Sequence, residues 1–248
     1  MSTKISAASA VSTLSDSYAL PLSTGGSSAN KVTVSTLAQY ATKYCSGINV
    51  VHSGSGNDEH SVDLPRYVDA QSSYVPIGLE IVDCSHPLII ALTEPDAGTM
   101  YWNSASGTKD TTITSLKSAV LDFDGEAHCE AAALSDADYA MGYCSTFECC
   151  GGGTTGLGTG QWWLPSVGEL RLINRYFTAI NMALSILSTL GYTTTQLQRA
   201  GYWSSTEYSS SYAWHVGFYG GYVNTNSKAS NSNRVRPVSA YQSWTTIS

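Results

Sequence analysis

The stretch Trp214 to Asn224, WHVGFYGGYVN, restricts the fold around it more than any other part of the chain. Trp214, Val216 and Phe218 alternate with His215, Gly217 and Tyr219. A period of two is the signature of a strand with one buried face. Gly220-Gly221 supplies the positive φ angles of a tight hairpin, and Tyr222-Val223-Asn224 begins the return strand. Downstream, Arg234 to Val238 (RVRPV) reads as a closing strand, and its proline places it at a sheet edge. A hairpin with two such apolar aromatics on one side must be covered by something.

The cover is legible upstream. In WWLPSVGELRLINRYFTAINMALSILSTLG, Pro165 and Ser166 open a helix, with Glu169 three residues after Ser166 as in a capping box. Leu170, Leu172, Ile173, Tyr176, Phe177, Ile180, Met182, Ala183 and Ile186 form its apolar face, and Gly191 stops it. Val75–Val82 and Pro87–Leu92 read as two buried strands split by a turn. Glu126–Cys144 has helical spacing, residues 97–112 are loop-like, and Glu94-Pro95-Asp96 reads as a turn. Nearer the start, Ser35 caps a short helix in KVTVSTLAQYATKY, and the Gly/Ser/Asn-rich GINVVHSGSGNDEHS reads as a linker. The expectation is an α+β domain over residues 74–242, preceded by a small segment (1–46) and a linker (47–73).

Charge excludes several functions. Only 12% of the 248 residues are charged, and 12 basic against 19 acidic residues give −7. That is too little Lys and Arg for a phosphate-tracking stripe, so nucleic acid is not an expected partner. No run of 18 apolar residues suggests membrane insertion; Ile77–Leu92 is broken by Glu80, Asp83, His86 and Pro87. The opening residues lack the continuous apolar region of a signal peptide, so synthesis in and release from a cytoplasm is expected. The six cysteines (Cys45, Cys84, Cys129, Cys144, Cys149, Cys150) then read as reduced, buried thiols. Their spacing around His128 is not that of a zinc site. CCGGGTTGLGTGQ lacks the Lys-Ser/Thr of a phosphate loop, and Asp122, Asp124 and Glu126 fall short of an EF-hand. The five histidines are scattered and no nucleophile motif occurs, so neither an enzyme nor a cofactor is expected.

WWLPSVGEL, then YWSSTEY, AWHVGF and RVRPV in that order, resembles the C-type-lectin-fold variable proteins of diversity-generating retroelements. Weaker similarity extends back through DFDGEAHCEAAALSDADYAMGYC to about residue 74. The opening KISAASAVSTLSDSYALPLSTGGSSANKVTVSTLAQY is similar to the first segment of many phage tail and fibre proteins. Together these resemblances imply a C-type-lectin-like fold in a phage receptor-binding protein displayed on the virion. They imply a host cell-surface protein or glycan as ligand, virion or tail proteins as partners of the first segment, and a homo-oligomer, by analogy a trimer. A bacterial surface adhesin, or a structural virion protein without a ligand, is the alternative on the same fold.

The resemblance also divides the last strands, within a variable region of about 202–238. Trp203, Trp214, Val216, Phe218, Val223, Arg234, Val235, Pro237 and Val238 match framework positions. Tyr208, Ser209, Ser210, Ser211, Tyr212, His215, Gly217, Tyr219, Gly220, Tyr222, Asn224, Asn226, Ser227, Ser230 and Asn231 match positions that the retroelement rewrites through inaccurate copying of Asn-type codons. All fifteen are residue types reachable from such codons. Lys228 is not, and reads as framework or bystander. The residue chemistry points the same way independently: Tyr gives large amphipathic contact area at low entropy cost, while Ser, Gly and Asn adapt their hydrogen bonding. With His215, Gly217 and Tyr219 on its outward side, the strand is expected to present a flat contact platform.

Overall fold

The computed structural model describes residues 47–53, 59–70, 75–82, 86–104, 107–149 and 157–240. The segment over 1–46, with its Ser35-capped helix, lies outside the described residues. So do Cys45, Cys84 and Cys150. The elements, in chain order, begin with strands β1 (Ile48–Ser53) and β2 (Glu59–Asp63), helix α1 (Leu64–Ala70), and strands β3 (Val75–Ile81), β4 (Leu88–Ala91) and β5 (Met100–Tyr101). Helices α2 (Leu116–Ala119), α3 (Gly125–Ala132), α4 (Ala140–Thr146), α5 (Val167–Arg175) and α6 (Phe177–Thr189) follow. Strands β6 (Gly201–Glu207), β7 (Tyr212–Gly217), β8 (Tyr222–Ser227), β9 (Ser232–Asn233) and β10 (Val238–Ser239) close the chain. Helices and antiparallel sheets are mixed, as an α+β chain requires.

Among the described residues the strands form three sheets: β10-β4-β3-β1-β2, the pair β5-β9, and β6-β7-β8. The two expected buried strands are β3 and β4, paired Leu79 to Ile90 and Ile81 to Leu88. The linker reading is corrected. Residues 48–53 and 59–70 form β1, β2 and α1, and β1 pairs with both β2 and β3. Ile48, Val50 and Val51 are buried, so the apolar INVV completes the sheet that the flanking Gly/Ser-rich run hides at the level of composition. The closing strand expected over Arg234–Val238 is shorter: Arg234 makes only an isolated bridge to Tyr202, and the strand proper is Val238–Ser239 (β10), which pairs with β4 at the end of the five-stranded sheet.

The largest core lies between that sheet, α5–α6 and one side of β6–β7. It joins Val50, Leu79 and Ile90 to Leu170, Ile180, Tyr202, Trp214, Val216 and Phe218. Burying a side chain of this kind stabilises by roughly 1.5–3 kcal/mol. Trp214 and Val216 on β7, with Phe218 just beyond it, therefore suffice to fix which side of the strand faces in. A second core (Trp102, Met141, Cys144, Leu164, Trp203, Ala213, Val235) covers part of the opposite side beneath α4.

Two expected helices are each divided. Glu126–Cys144 becomes α3 and α4, because Ala133 adopts φ 49°, outside the helical range. The long amphipathic helix breaks for one residue at Tyr176 (φ −97°, ψ 12°) and resumes as α6. Its start is as expected: the Glu169 carboxylate accepts from the Ser166 backbone N–H at 2.6 Å. Its end is a Schellman arrangement. Gly191 (φ +97°) donates to Ser188 and Tyr192 donates to Leu187.

Candidate ligand-binding surface

Strands β7 and β8 together carry seven of the fifteen positions singled out on the sequence, and the adjoining turns carry the rest. Their register pairs Tyr212 with Ser227, Ala213 with Asn226, His215 with Asn224 and Gly217 with Tyr222. The turn between them spans Phe218 to Gly221. Only Gly221 of the two turn glycines has positive φ (+67°), which corrects the expectation for Gly220. A four-residue turn requires a single left-handed residue at its end, where a two-residue turn would require two. Gly221 N–H donates to Gly217 O at 2.8 Å.

The fifteen candidates do not form one flat platform. Tyr219, Gly220, Tyr222 and Asn224 gather at the turn end. Ser209, Ser210, Ser211 and Tyr212 gather with Ser227, Ser230 and Asn231 at the other end. Six residues of β7 at about 3.3 Å per residue set the two groups roughly 17 Å apart. Asn224 and Asn226, on the same side of β8, form the ridge between them. Tyr219 is 57% exposed and Tyr212 46%; Ser210, Gly220, Ser230 and Asn231 are exposed as well.

Three candidates turn inward. His215 is only 4% exposed, edge-on to Trp203 (6.3 Å) and Tyr222 (5.7 Å), because the second core covers this side of β7. Burial lowers its pKa, against a hydrogen bond to the Asn224 backbone, so it is neutral. Gly217 lies beneath the Tyr222 ring, where a Cβ would collide. Tyr208 packs edge-on against Trp214 at 5.4 Å, on the main-core side.

Around this surface every outward candidate is uncharged, while its supports are charged and buried. Lys228, set aside on the sequence, has its ammonium 2.7 Å from Glu207 Oε1 and 4.5 Å from the centre of the Trp102 ring, with both charged side chains fully buried. It also donates to Gly107 O and Ser210 O, while Glu207 accepts the backbone N–H groups of Lys109 and Asp110. The pair thus pins three loops that flank the serine-rich end. At the root of β6, Glu94 accepts from Arg236 Nη2 (2.8 Å), Arg234 Nε (2.7 Å) and Tyr202 Oη (2.7 Å). The turn expected at Glu94-Pro95-Asp96 is there, closed by Gly98 N–H on Pro95 O, but Glu94 itself serves this buried hub. Trp102, Trp203 and Trp214 donate their indole N–H groups to the carbonyls of Ser204, Met100 and Ile113, tying loops to the sheet.

The nearest approach to a catalytic constellation is His128 between Asp110 and Asp122. Both ring nitrogens are engaged by carboxylates. These raise the imidazole pKa to about 9 against the opposing effect of burial, so no free nitrogen is left to act as a base. Thr206 Oγ donates to Asp122 and accepts from Val167 N–H. The cluster is a clip joining α3, α5 and β6. Cys129 and Cys144 are free thiols, and no group of metal-ligating side chains occurs among the described residues. No helix among them is long and apolar enough to cross a membrane.

Residues 97–239, which hold β5 to β10 and α2 to α6, match the family described as the Lcl C-terminal domain. The chain belongs to this family. The Lcl C-terminal domain is C-type-lectin-like and of the variable-protein type, in keeping with the sequence resemblance. All fifteen candidate positions lie inside the matched stretch. Among solved structures, the chain is similar to a fimbrial protein from Bacteroides ovatus. The identity is 21%, over 64% of this chain and 36% of that one, with a TM-score of 0.42. This chain thus spans little more than a third of that protein. No curated protein matches.

Proposed function

We propose that this Lcl C-terminal domain is a receptor-binding module whose contact surface is the open side of β7–β8 with the loops 209–212 and 227–231. In this reading a phage virion displays it, in several copies, to a molecule on the host cell surface, and the exposed positions are diversified by a retroelement. It performs no chemistry of its own.

The observation that carries the reading is the segregation along the last strands. Framework residues Trp203, Trp214, Val216, Phe218, Val235 and Val238 are buried, whereas of the fifteen candidates only His215 and Gly217 are. Exposed tyrosines among small neutral side chains are how binding loops obtain contact area without a large entropy loss. Weak single sites of this kind gain from display in several copies.

Sequencing this gene and its flanking DNA across a population that carries it tests the diversification. Substitutions concentrated at the exposed candidates, opposite adenines of a nearby template repeat and sparing Lys228 and Glu207, are the expected result. Sparse, evenly spread changes without a repeat would remove the retroelement from the account. Attachment to host cells that is unaffected by combined Ala substitution of Tyr212, Tyr219 and Tyr222 would remove the binding surface itself.

A further inference from the structure

The contact surface has a wall that the variable strands do not supply. Strand β5 pairs with β9, Met100 with Asn233 and Tyr101 with Ser232. This pair lies on the side of β6–β8 that carries Asn224 and Asn226. Asn233 Oδ1 accepts from Asn226 Nδ2 at 3.5 Å and would lie 2.6 Å from a Cβ on Gly201. Met100 O accepts the Trp203 indole N–H at 2.8 Å. Residues directly opposite in an antiparallel pair share a face. Met100 and Asn233 therefore face the sheet, while Tyr101 and Ser232 face outward and are exposed. From there the chain follows the serine-rich end: Trp102 and Asn103 N–H both donate to Lys228 O, and Gly107 N–H donates to Ser210 O.

Among the described residues three tyrosines are strongly exposed: Tyr219 (57%), Tyr101 (47%) and Tyr212 (46%). Two belong to the candidate surface, and the third reaches its edge from far upstream in the chain. The Tyr101 side chain makes no hydrogen bond or ring contact among the described residues, so the fold gives no reason for an aromatic there. Antiparallel partners lie about 5 Å apart and chain neighbours about 3.8 Å, which sets Tyr101 within roughly 9 Å of Asn231. An ordinary interface covers about 800 Å² of each partner, so a macromolecule seated on Ser230 and Asn231 also covers Tyr101. We propose that Tyr101 is a fixed anchor of the receptor contact, an aromatic that stays whatever the variable positions become. The inference rests on the receptor-binding reading above and adds to it a residue outside the rewritten strands and a preferred end: the ligand centres on the serine-rich end and not on the turn. The backbone beside Tyr101 is pinned at Met100 by Trp203 and at Trp102 by Lys228, so its ring meets a ligand without a loop having to be ordered. The variable neighbours select the partner, and the anchor contributes contact area common to every version.

The test uses the full chain and bacterial cells that it coats, with attachment read by flow cytometry and folding by thermal melting. Tyr101→Ala should lower apparent affinity by roughly tenfold, within the range for an aromatic anchor, while melting as the parent does. Tyr101→Phe, which keeps the ring, should retain most of the attachment. Val82→Ala, at a similarly exposed apolar position on the five-stranded sheet, should change nothing. A fall in attachment matched by a fall in melting temperature would assign Tyr101 to the fold and overturn the anchor. Attachment that Tyr101→Ala leaves intact, but that combined Ala substitution of Tyr212, Tyr219 and Tyr222 abolishes, would overturn the anchor alone and leave the receptor-binding reading standing. Attachment that survives all four substitutions together would overturn both. Natural copies of the gene supply a second arm that needs no host cell. Position 101 should remain aromatic in copies that differ at Ser230 and Asn231, and copies with Ser or Gly there would overturn the anchor.

Discussion

The supports of the binding surface and the surface itself divide the chemistry of the chain between them. The supports hold buried charge: Lys228 with Glu207, Glu94 with Arg234 and Arg236, and His128 with Asp110 and Asp122. The surface carries Tyr, Ser, Asn and Gly and, at the fifteen candidate positions, no Lys, Arg, Asp or Glu. Most proteins place charge outside. The inversion has a physical use. A buried ion pair adds little net stability over an apolar pair, but it fixes position, because breaking it strands a charge. Loops held this way keep their place when their outward side chains change. Neutral outward side chains in turn avoid imposing a charge match on each new ligand.

The largest effect should come from breaking a support. Lys228→Ala leaves the Glu207 carboxylate buried without its ammonium, and removal of one partner from such a pair costs about 3–5 kcal/mol. Denaturant unfolding should show that loss. The double variant Lys228→Met/Glu207→Gln should recover a large part of it. A loss below about 1 kcal/mol in Lys228→Ala would mean that the pair does not hold the loops.

The His128 clip should reveal itself through pH. Its folded pKa is raised to about 9, from an ordinary 6.5, by Asp122 and Asp110 against the opposing effect of burial. A raised value means the stabilisation is complete below about pH 6.5 and is lost as pH rises through about 9. The shift corresponds to about 3 kcal/mol. Burial pushes the Glu169 carboxyl up to about 7, so its contribution fades in a lower window, between about pH 4.5 and 7. Melting curves from pH 6 to 10 should therefore fall in the parent and flatten over pH 7–9 in His128→Asn. A parent curve level across that range would break the assignment.

How much of this could be read in advance differs between the two regions. Local signals survived folding intact: the Ser166–Glu169 cap, the Gly191 stop, and the alternation of Trp214, Val216 and Phe218 each depend on neighbours within a few residues. The supports depend on distant partners. Glu94 meets Arg236 across 142 positions and Lys228 meets Glu207 across 21, and no local pattern encodes either pairing. Strand β1 was hidden because INVV borders a Gly/Ser-rich run, and its strand character comes from pairing with β3. The break at Ala133 has no sequence signal, since Ala favours helix and is held at positive φ by its surroundings. Alternation placed His215 and Gly217 opposite the main core correctly. It could not register that a second core, with Trp102 and Trp203, covers that side of the strand too.

A substitution on the surface should separate binding from stability. Tyr219→Ala removes an exposed ring that packs edge-on against Tyr222. Its effect on unfolding should stay within about 0.5 kcal/mol, the usual range for surface changes. Binding should weaken by about 1–3 kcal/mol, as for an aromatic anchor at an interface. Equal losses in both measurements would mean that Tyr219 belongs to the support and not to the contact surface.

The smallest expected effect is the dependence of attachment on salt, and it sharpens the comparison most directly. Contacts made by exposed charges weaken as the Debye length falls from about 10 Å at 0.1 M to about 3 Å at 1 M. A surface of Tyr, Ser, Asn and Gly has no such contacts to lose, and the charges behind it are paired and shielded from solvent. Attachment measured by flow cytometry should therefore change by less than about twofold between 0.1 M and 0.5 M sodium chloride. A steep fall would place a charged group in the contact. Lys109, half-buried on the loop that Glu207 pins, would then be the first to replace, because its ammonium lies beside Gly107, whose N–H is bonded to Ser210 O at the serine-rich end.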